Sequence, residues 1–318
     1  MPYWEMVTRS FKIVWRFKYL WLLAFVSGEA GGGSSFNYSQ GQPIQPGTNR
    51  APDFNAAGQQ VSAWVNQNTA SLLIVAALLI VLSIGFFVLA AVCEGALVRA
   101  SAEHDAERPF NLAVAWRCGV ATMGTIIRFR LLLLALTLPV LILVLALVLG
   151  AIAAFLGHNN GAGVSLALAG ALLVLVAIPY AIYISFLDRL GTRAVVLEQV
   201  GARAAIVRAH RLLTKRLGRV LLVWLLAIAV GIVVGICLGI VAVVIAIPVV
   251  IAAAAAYASG SAAFWVFVVI GFLIALPVFL VTAAFSAAQG STYWTLAFRR
   301  LEIDQPPVAY YAYPSPAS

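Results

Sequence analysis

Glu103-His104-Asp105-Ala106-Glu107-Arg108 is the densest run of ionisable side chains in the chain, so chemistry is sought there first. One imidazole among three carboxylates could hold a cation, but metal sites normally converge several ligands fixed by their elements. Here a single histidine stands in a short stretch before Pro109, and the expected form is a solvated turn. His158 and His210 lie far away along the chain. Cys93, Cys118 and Cys237 sit in apolar or amphipathic stretches, with no CxxC spacing and no histidine partner nearby. That pattern reads as small buried side chains without a disulfide framework. There is no HExxH, no GxSxG, no Walker A loop and no dinucleotide fingerprint, each of which would carry its own mechanism. No catalytic group, metal or cofactor is expected, and the chain does not read as an enzyme.

The elements that would have to position any site are apolar. Hydrophobic residues make up 63% of the 318 and charged residues 10%, with a mean hydropathy of +1.01. A soluble domain dresses its surface with roughly 25% charged residues, so most of this surface must face lipid. A span needs about 20 mostly apolar residues to cross roughly 30 Å of hydrocarbon. Ser71 to Cys93, Leu131 to Leu156, Val164 to Leu187, Val220 to about Ile247 and Ala262 to about Ala288 meet that requirement. Tyr19 to Val26 is a short sixth candidate. Lys12, Arg16 and Lys18 could snorkel beside it, and Trp15 and Trp21 could anchor it. A basic region followed by an apolar core and Ser27-Gly28-Glu29-Ala30 also resembles a signal peptide, although Glu29 sits awkwardly at such a cleavage site. Val220 to Tyr257 is long enough for two spans, but splitting it would leave a turn without turn residues. One long span carrying Pro248 is expected.

Charge placement orients the chain. Of its 20 lysines and arginines, Arg50 alone falls in the Gly/Ser/Asn/Gln/Pro-rich stretch 28–70. The rest precede the first span, flank the second and third, crowd segment 188–219, or follow the last span as Arg299 and Arg300. The positive-inside rule makes that side cytoplasmic, with both termini on it and 28–70 outside. The expected architecture is therefore an all-α polytopic transmembrane helical bundle. It comprises about six spans in three hairpins with basic interfacial helices over residues 1–305, and a disordered Pro/Tyr tail over 306–318.

Two patterns stand out within it. Arg208, Arg211, Lys215, Arg216 and Arg219 fall on one face of a helix over Ala202 to Arg219, opposite Ile206, Leu213 and Leu217. Such a helix is expected to lie in the interface, with its cations among the anionic lipids of the cytoplasmic leaflet. Basic helices beside spans need no nucleic acid to explain them. Gly231, Gly235 and Gly239 recur every fourth residue of the fifth span, a small-residue stripe expected to admit another helix, within the chain or in a homodimer. Pro139, Pro179, Pro248 and Pro277 put one proline in each of the last four spans, and no ionisable residue stands mid-span. Neutral side chains such as Thr282, Ser286 and Gln289 could line a path.

Arg16-Phe-Lys-Tyr-Leu-Trp-Leu-Leu-Ala24 matches Arg219-Val-Leu-Leu-Val-Trp-Leu-Leu-Ala227, and Arg128-Phe-Arg-Leu-Leu-Leu-Leu-Ala135 resembles both. This suggests a repeated hairpin. Trp15 to Phe25, the central Ala194-Val-Val-Leu-Glu-Gln-Val-Gly201, and Ser291-Thr-Tyr-Trp-Thr-Leu-Ala-Phe-Arg-Arg-Leu301 are similar to uncharacterised bacterial multi-span proteins. Those proteins group near the membrane domain of glycerophosphoryl diester phosphodiesterases. The resemblance implies an inner-membrane protein without the phosphodiesterase's catalytic barrel, so no catalytic residue carries over. The expected role is a membrane scaffold or assembly partner engaging anionic lipid. The alternative is a small-molecule or lipid permease, which a cavity lined by the last spans would favour.

Overall fold

A computed structural model describes residues 3–28, 62–258 and 263–302. The tail 306–318 and most of the stretch 28–70 lie outside the described residues. The helices are α1 (Tyr3–Arg16), α2 (Tyr19–Val26), α3 (Thr69–Asp105), α4 (Leu112–Leu156), α5 (Asn160–Leu197), α6 (Ala202–Lys215), α7 (Leu217–Ala258) and α8 (Ala263–Glu302). No strand occurs among the described residues. The five long helices α3, α4, α5, α7 and α8 are long and apolar enough to cross a membrane. The chain is a multi-pass helical membrane bundle.

Local chemistry explains where helices begin and stop. The Asn111 side chain accepts from the backbone N–H of Val114 at 3.0 Å, capping α4, and Asn159 does the same for Ala162 at 3.2 Å, capping α5. His158 turns the chain between them with φ 57°, the left-handed region that ends helices. Each of α4, α5, α7 and α8 contains its proline and continues through it. The run from Val220 onward is one helix, as expected.

The first apolar segment departs from expectation. The chain breaks at Phe17 and Lys18, leaving α2 only eight residues, roughly 12 Å long. It is therefore no sixth span of its own. Leu20, Leu23 and Ala24 are instead buried in a cluster with Cys93, Ala96 and Leu97 of α3 and Ala287, Ala288 and Leu296 of α8. The basic stretch Arg117 to Arg128 is not set off as a helix of its own. It continues into its span as α4, because no breaker interrupts it.

The core sits at the charge-rich end, the base. In α3 burial begins at Ala91, just before the apolar run ends. The most apolar windows of the five long helices are at most 11% buried, as lipid-facing surface should be. Within the base, α3 and α4 cross at closest range where Gly95 meets Gly119. A Cβ added at Gly119 would lie 2.2 Å from the Val92 carbonyl oxygen.

The acidic run at the end of α3 is a clamp. Asp105 takes Arg9 of α1 at 2.7 Å and Arg299 of α8 at 2.6 Å. Glu103 takes Arg99 at 2.8 Å. His104, only 7% exposed, stacks flat on Phe17 with ring centroids 3.6 Å apart, and its Nε2 lies 2.6 Å from the Tyr19 hydroxyl. Burial pushes the Tyr19 phenol up to about 12. The expected solvated turn is thus corrected, since these charges find partners on three helices. Arg300 approaches Glu5 at 4.0 Å, which puts α1 and the C-terminal end of α8 at the same end of the bundle.

Candidate functional site: a cleft with a charged floor

Between the α7–α8 hairpin and the other spans lies a cleft of about 1750 Å³. Its walls come mostly from α7 and α8, and they are smooth because small residues recur at helical spacing. Gly231, Gly235, Gly239, Ala242 and Ala246 line it from α7, and Gly271 and Ala275 from α8. A Cβ added at Gly231, Gly235 or Gly239 would meet nothing within 4 Å. No helix of this chain closes on the glycine stripe, and open space lies beside it. The contact between α7 and α8 runs elsewhere, where a Cβ at Gly271 would come within 2.3 Å of Val249.

The floor carries the charge. Glu94 of α3, with its side chain 2% exposed, is ion-paired with Arg130 of α4. From α5 come Asp188, Arg189 and Arg193, which also line the cleft. Arg193 donates to the Arg189 carbonyl at 3.0 Å and to Ser291 Oγ of α8 at 3.1 Å. The Arg189 guanidinium lies over the Trp294 ring, 5.1 Å from its centroid. Phe186 packs against Trp224 and Trp294, with ring centroids 5.6 and 6.3 Å apart. Tyr293 ties α8 to α7 by donating to the Val223 carbonyl at 2.9 Å. Thr282, Ser286 and Gln289 line the same space, so the neutral polar side chains singled out in the sequence face the cleft together.

The residues expected to meet lipid sit elsewhere. On α6, Arg208 donates through Nε to both carboxylate oxygens of Glu198, at 3.1 and 3.2 Å. Arg211, Lys215 and Arg219 are exposed, and Arg216 is half-exposed at the break into α7. The inner face of α6 is covered by protein. Ala205, Ala209, Leu212 and Leu213 are buried in the bundle's own core, because α6 packs across the ends of α4 and α5. None of the five cations lines the cleft. Along the sequence the floor residues only flank separate spans, and the packing of α3, α4 and α5 brings them together. Among the described residues no group of His, Cys, Asp and Glu could hold a metal ion.

A family model described as a family of unknown function (DUF7544) matches residues 6–296, and the chain belongs to that family. No curated protein and no solved structure matches.

Proposed function

We propose that this member of a family without an assigned activity is a non-enzymatic membrane protein that takes lipid-like amphiphiles into its cleft, as a lipid permease or carrier would. The observation that carries this reading is a cavity of about 1750 Å³ with long apolar walls and its charged lining gathered on one floor. A filled bundle core would have favoured a pure scaffold. Ligand pockets are commonly 300–1,000 Å³, so this one has room for a chain-bearing molecule. We further read the base as cytoplasmic in a bacterial inner membrane. All the lysines and arginines of the described residues stand toward that end, and α1 and the end of α8 share it. The exposed Arg211, Lys215 and Arg219 are then placed to meet anionic headgroups of that leaflet. A kinship with phosphodiesterase membrane domains fits a lipid-facing role and supplies no catalytic residue.

One observation keeps the scaffold reading as a second possibility. The apolar window of α3 has none of its residues buried, which leaves a full span face for a protein partner or a second copy.

The cleft reading is tested by incorporating the protein into nanodiscs containing a phospholipid with a photoactivatable acyl chain, then mapping the label by mass spectrometry. Label should concentrate on the α7 and α8 segments around Gly231–Gly239 and Ala275–Ser286, and Gly235→Trp should remove it from both. Label spread evenly over the outer faces of α3, α4 and α5 would refute the reading.

A further inference from the structure

We infer that the cleft seats a neutral lipid alcohol of the diacylglycerol class, its hydroxyl donating to the side-chain oxygen of Gln289. This rests on the cleft taking lipid-like amphiphiles, and goes beyond it by naming the head.

The first ground is what the floor charges already do. Arg130 is ion-paired with Glu94, Arg193 donates to Ser291 and to the Arg189 carbonyl, and Arg189 lies over the Trp294 ring. Glu94, Arg189 and Arg193 have partners beyond these, and Asp188 is engaged as well. A phosphate head would have to break into that set, and a displaced buried partner is costly to leave without its bond. A neutral head leaves the set whole.

The second ground is the orientation of Gln289, which lines the cleft and is only 8% exposed. Its Nε2 donates to Ser10 Oγ of α1 at 3.4 Å, while the Ser10 hydroxyl gives its own hydrogen to the Val7 carbonyl at 2.8 Å. Ser10 can therefore only accept from Gln289, which sets the amide nitrogen toward α1 and turns the side-chain oxygen away from it. That oxygen has no hydrogen-bond partner among the described residues. It is an acceptor and nothing else, so it takes a hydroxyl hydrogen and gains nothing from a phosphate oxygen or a choline methyl. Ser286, one turn away on the same face of α8, also lines the cleft, and its hydroxyl is without a partner among the described residues. It supplies a donor for an ester carbonyl of the same lipid.

The third ground is depth. Along α8, Ser286 stands roughly 7.5 Å inward of Ser291, the residue that meets Arg193. An uncharged hydroxyl loses far less than an ion on moving inward among apolar walls, so a neutral head can reach this level where a charged one stops at the floor. From Gln289 to Val268 the wall continues for roughly 32 Å of helix, ample for acyl chains fitted to a leaflet of ~15 Å.

The experiment uses the full chain in detergent, with retained lipid read by native mass spectrometry. The probes share identical acyl chains: dioleoylglycerol, its O-methyl ether, which lacks the hydroxyl hydrogen, and dioleoylphosphatidylcholine. Wild type should retain the alcohol over the ether by about fivefold, equivalent to the ~1 kcal/mol of one hydrogen bond, and should prefer it to phosphatidylcholine at least as strongly. Gln289→Leu should bring alcohol and ether to parity. Ser286→Ala should lower retention of both while leaving their ratio in place, because the ester carbonyls are common to them. Parity of alcohol and ether in wild type, or a ratio unmoved by Gln289→Leu, would overturn the inference. Should Gln289→Leu fail to fold, the wild-type ratio and Ser286→Ala decide, and retention unmoved by Ser286→Ala counts against it. Phosphatidylcholine retained over the alcohol would make this a phospholipid site and overturn the neutral head alone. In either of those failures, loss of all three lipids in Gly235→Trp would leave the cleft reading standing. Retention unaffected by Gly235→Trp would remove both.

Discussion

Gly119→Ala sets two glycine environments against each other with a single methyl group. At Gly119 the new Cβ would lie 2.2 Å from the Val92 carbonyl oxygen and 3.1 Å from the Ala96 nitrogen. Ordinary contact begins near 3.4 Å, so α3 and α4 would have to part by about an ångström. The obstacle is backbone on both sides, which no rotamer change relieves. Overpacking of this kind costs about 1–3 kcal/mol, and a rigid backbone contact belongs at the upper end. Alanine's higher helix propensity returns up to about 1 kcal/mol, so a net loss of about 2 kcal/mol is expected. Gly235→Ala makes the identical chemical change into open space and should be neutral or slightly stabilising. The assay is thermal melting of both purified variants in one detergent, followed by size-exclusion recovery. Gly119→Ala should melt several degrees below wild type, and Gly235→Ala at or above it. Equal melting of the two variants, or a drop confined to Gly235→Ala, would refute the packing argument. The second outcome would also show that a helix does close on the stripe.

Two other expectations concern the ends of the bundle. Single cysteines replacing His158 and Gln199, in a background without native cysteines, should react oppositely with a membrane-impermeant maleimide in intact cells. His158 should be labelled from outside and Gln199 only after permeabilisation, and equal labelling would sink the proposed orientation. His104 lies beyond the apolar stretch of α3, and burial, reinforced by Arg16 and opposed by Glu103, lowers its pKa from the ordinary 6.5. A lowered folded-state value means the unfolded chain protonates first as pH falls, so stability present above about 6.5 is lost progressively below it. Melting temperature should fall between pH 7.5 and pH 5.5, and His104→Gln should flatten that fall. An unchanged slope would assign the acid sensitivity to other groups.

What was legible in the sequence, and what was not, divides along a physical line. Ser71–Cys93 and its four counterparts announced themselves because a span must be apolar all round, whatever it touches. The same property hid the packing. A helix that is apolar on every face does not say which face meets protein, so the residues of α3 do not show which of its sides packs. The eight-residue α2 is ambiguous in sequence because lipid and a protein core both select Leu20, Leu23 and Ala24, and only its partners Ala96 and Ala288 reveal which environment it has. The glycine stripe illustrates the same degeneracy. Gly231, Gly235 and Gly239 make a face smooth, and a smooth face serves equally for a neighbouring helix or for a void. The position of α3 to α5 decides between them, and nothing within α7 encodes that position. The floor was hardest to see, because each charge had a sufficient local explanation as the flank of a span. Glu94 is followed by Gly95, the residue that lets α4 approach α3, and Gly191 lies between Arg189 and Arg193 with Phe129 pressed where its side chain would be. The close approaches that build the base are therefore adjacent in sequence to the charges they bring together. A charged residue at the end of a span, next to a glycine whose missing side chain is filled by another helix, is then more than a topological marker: it is a charge carried inward by the packing.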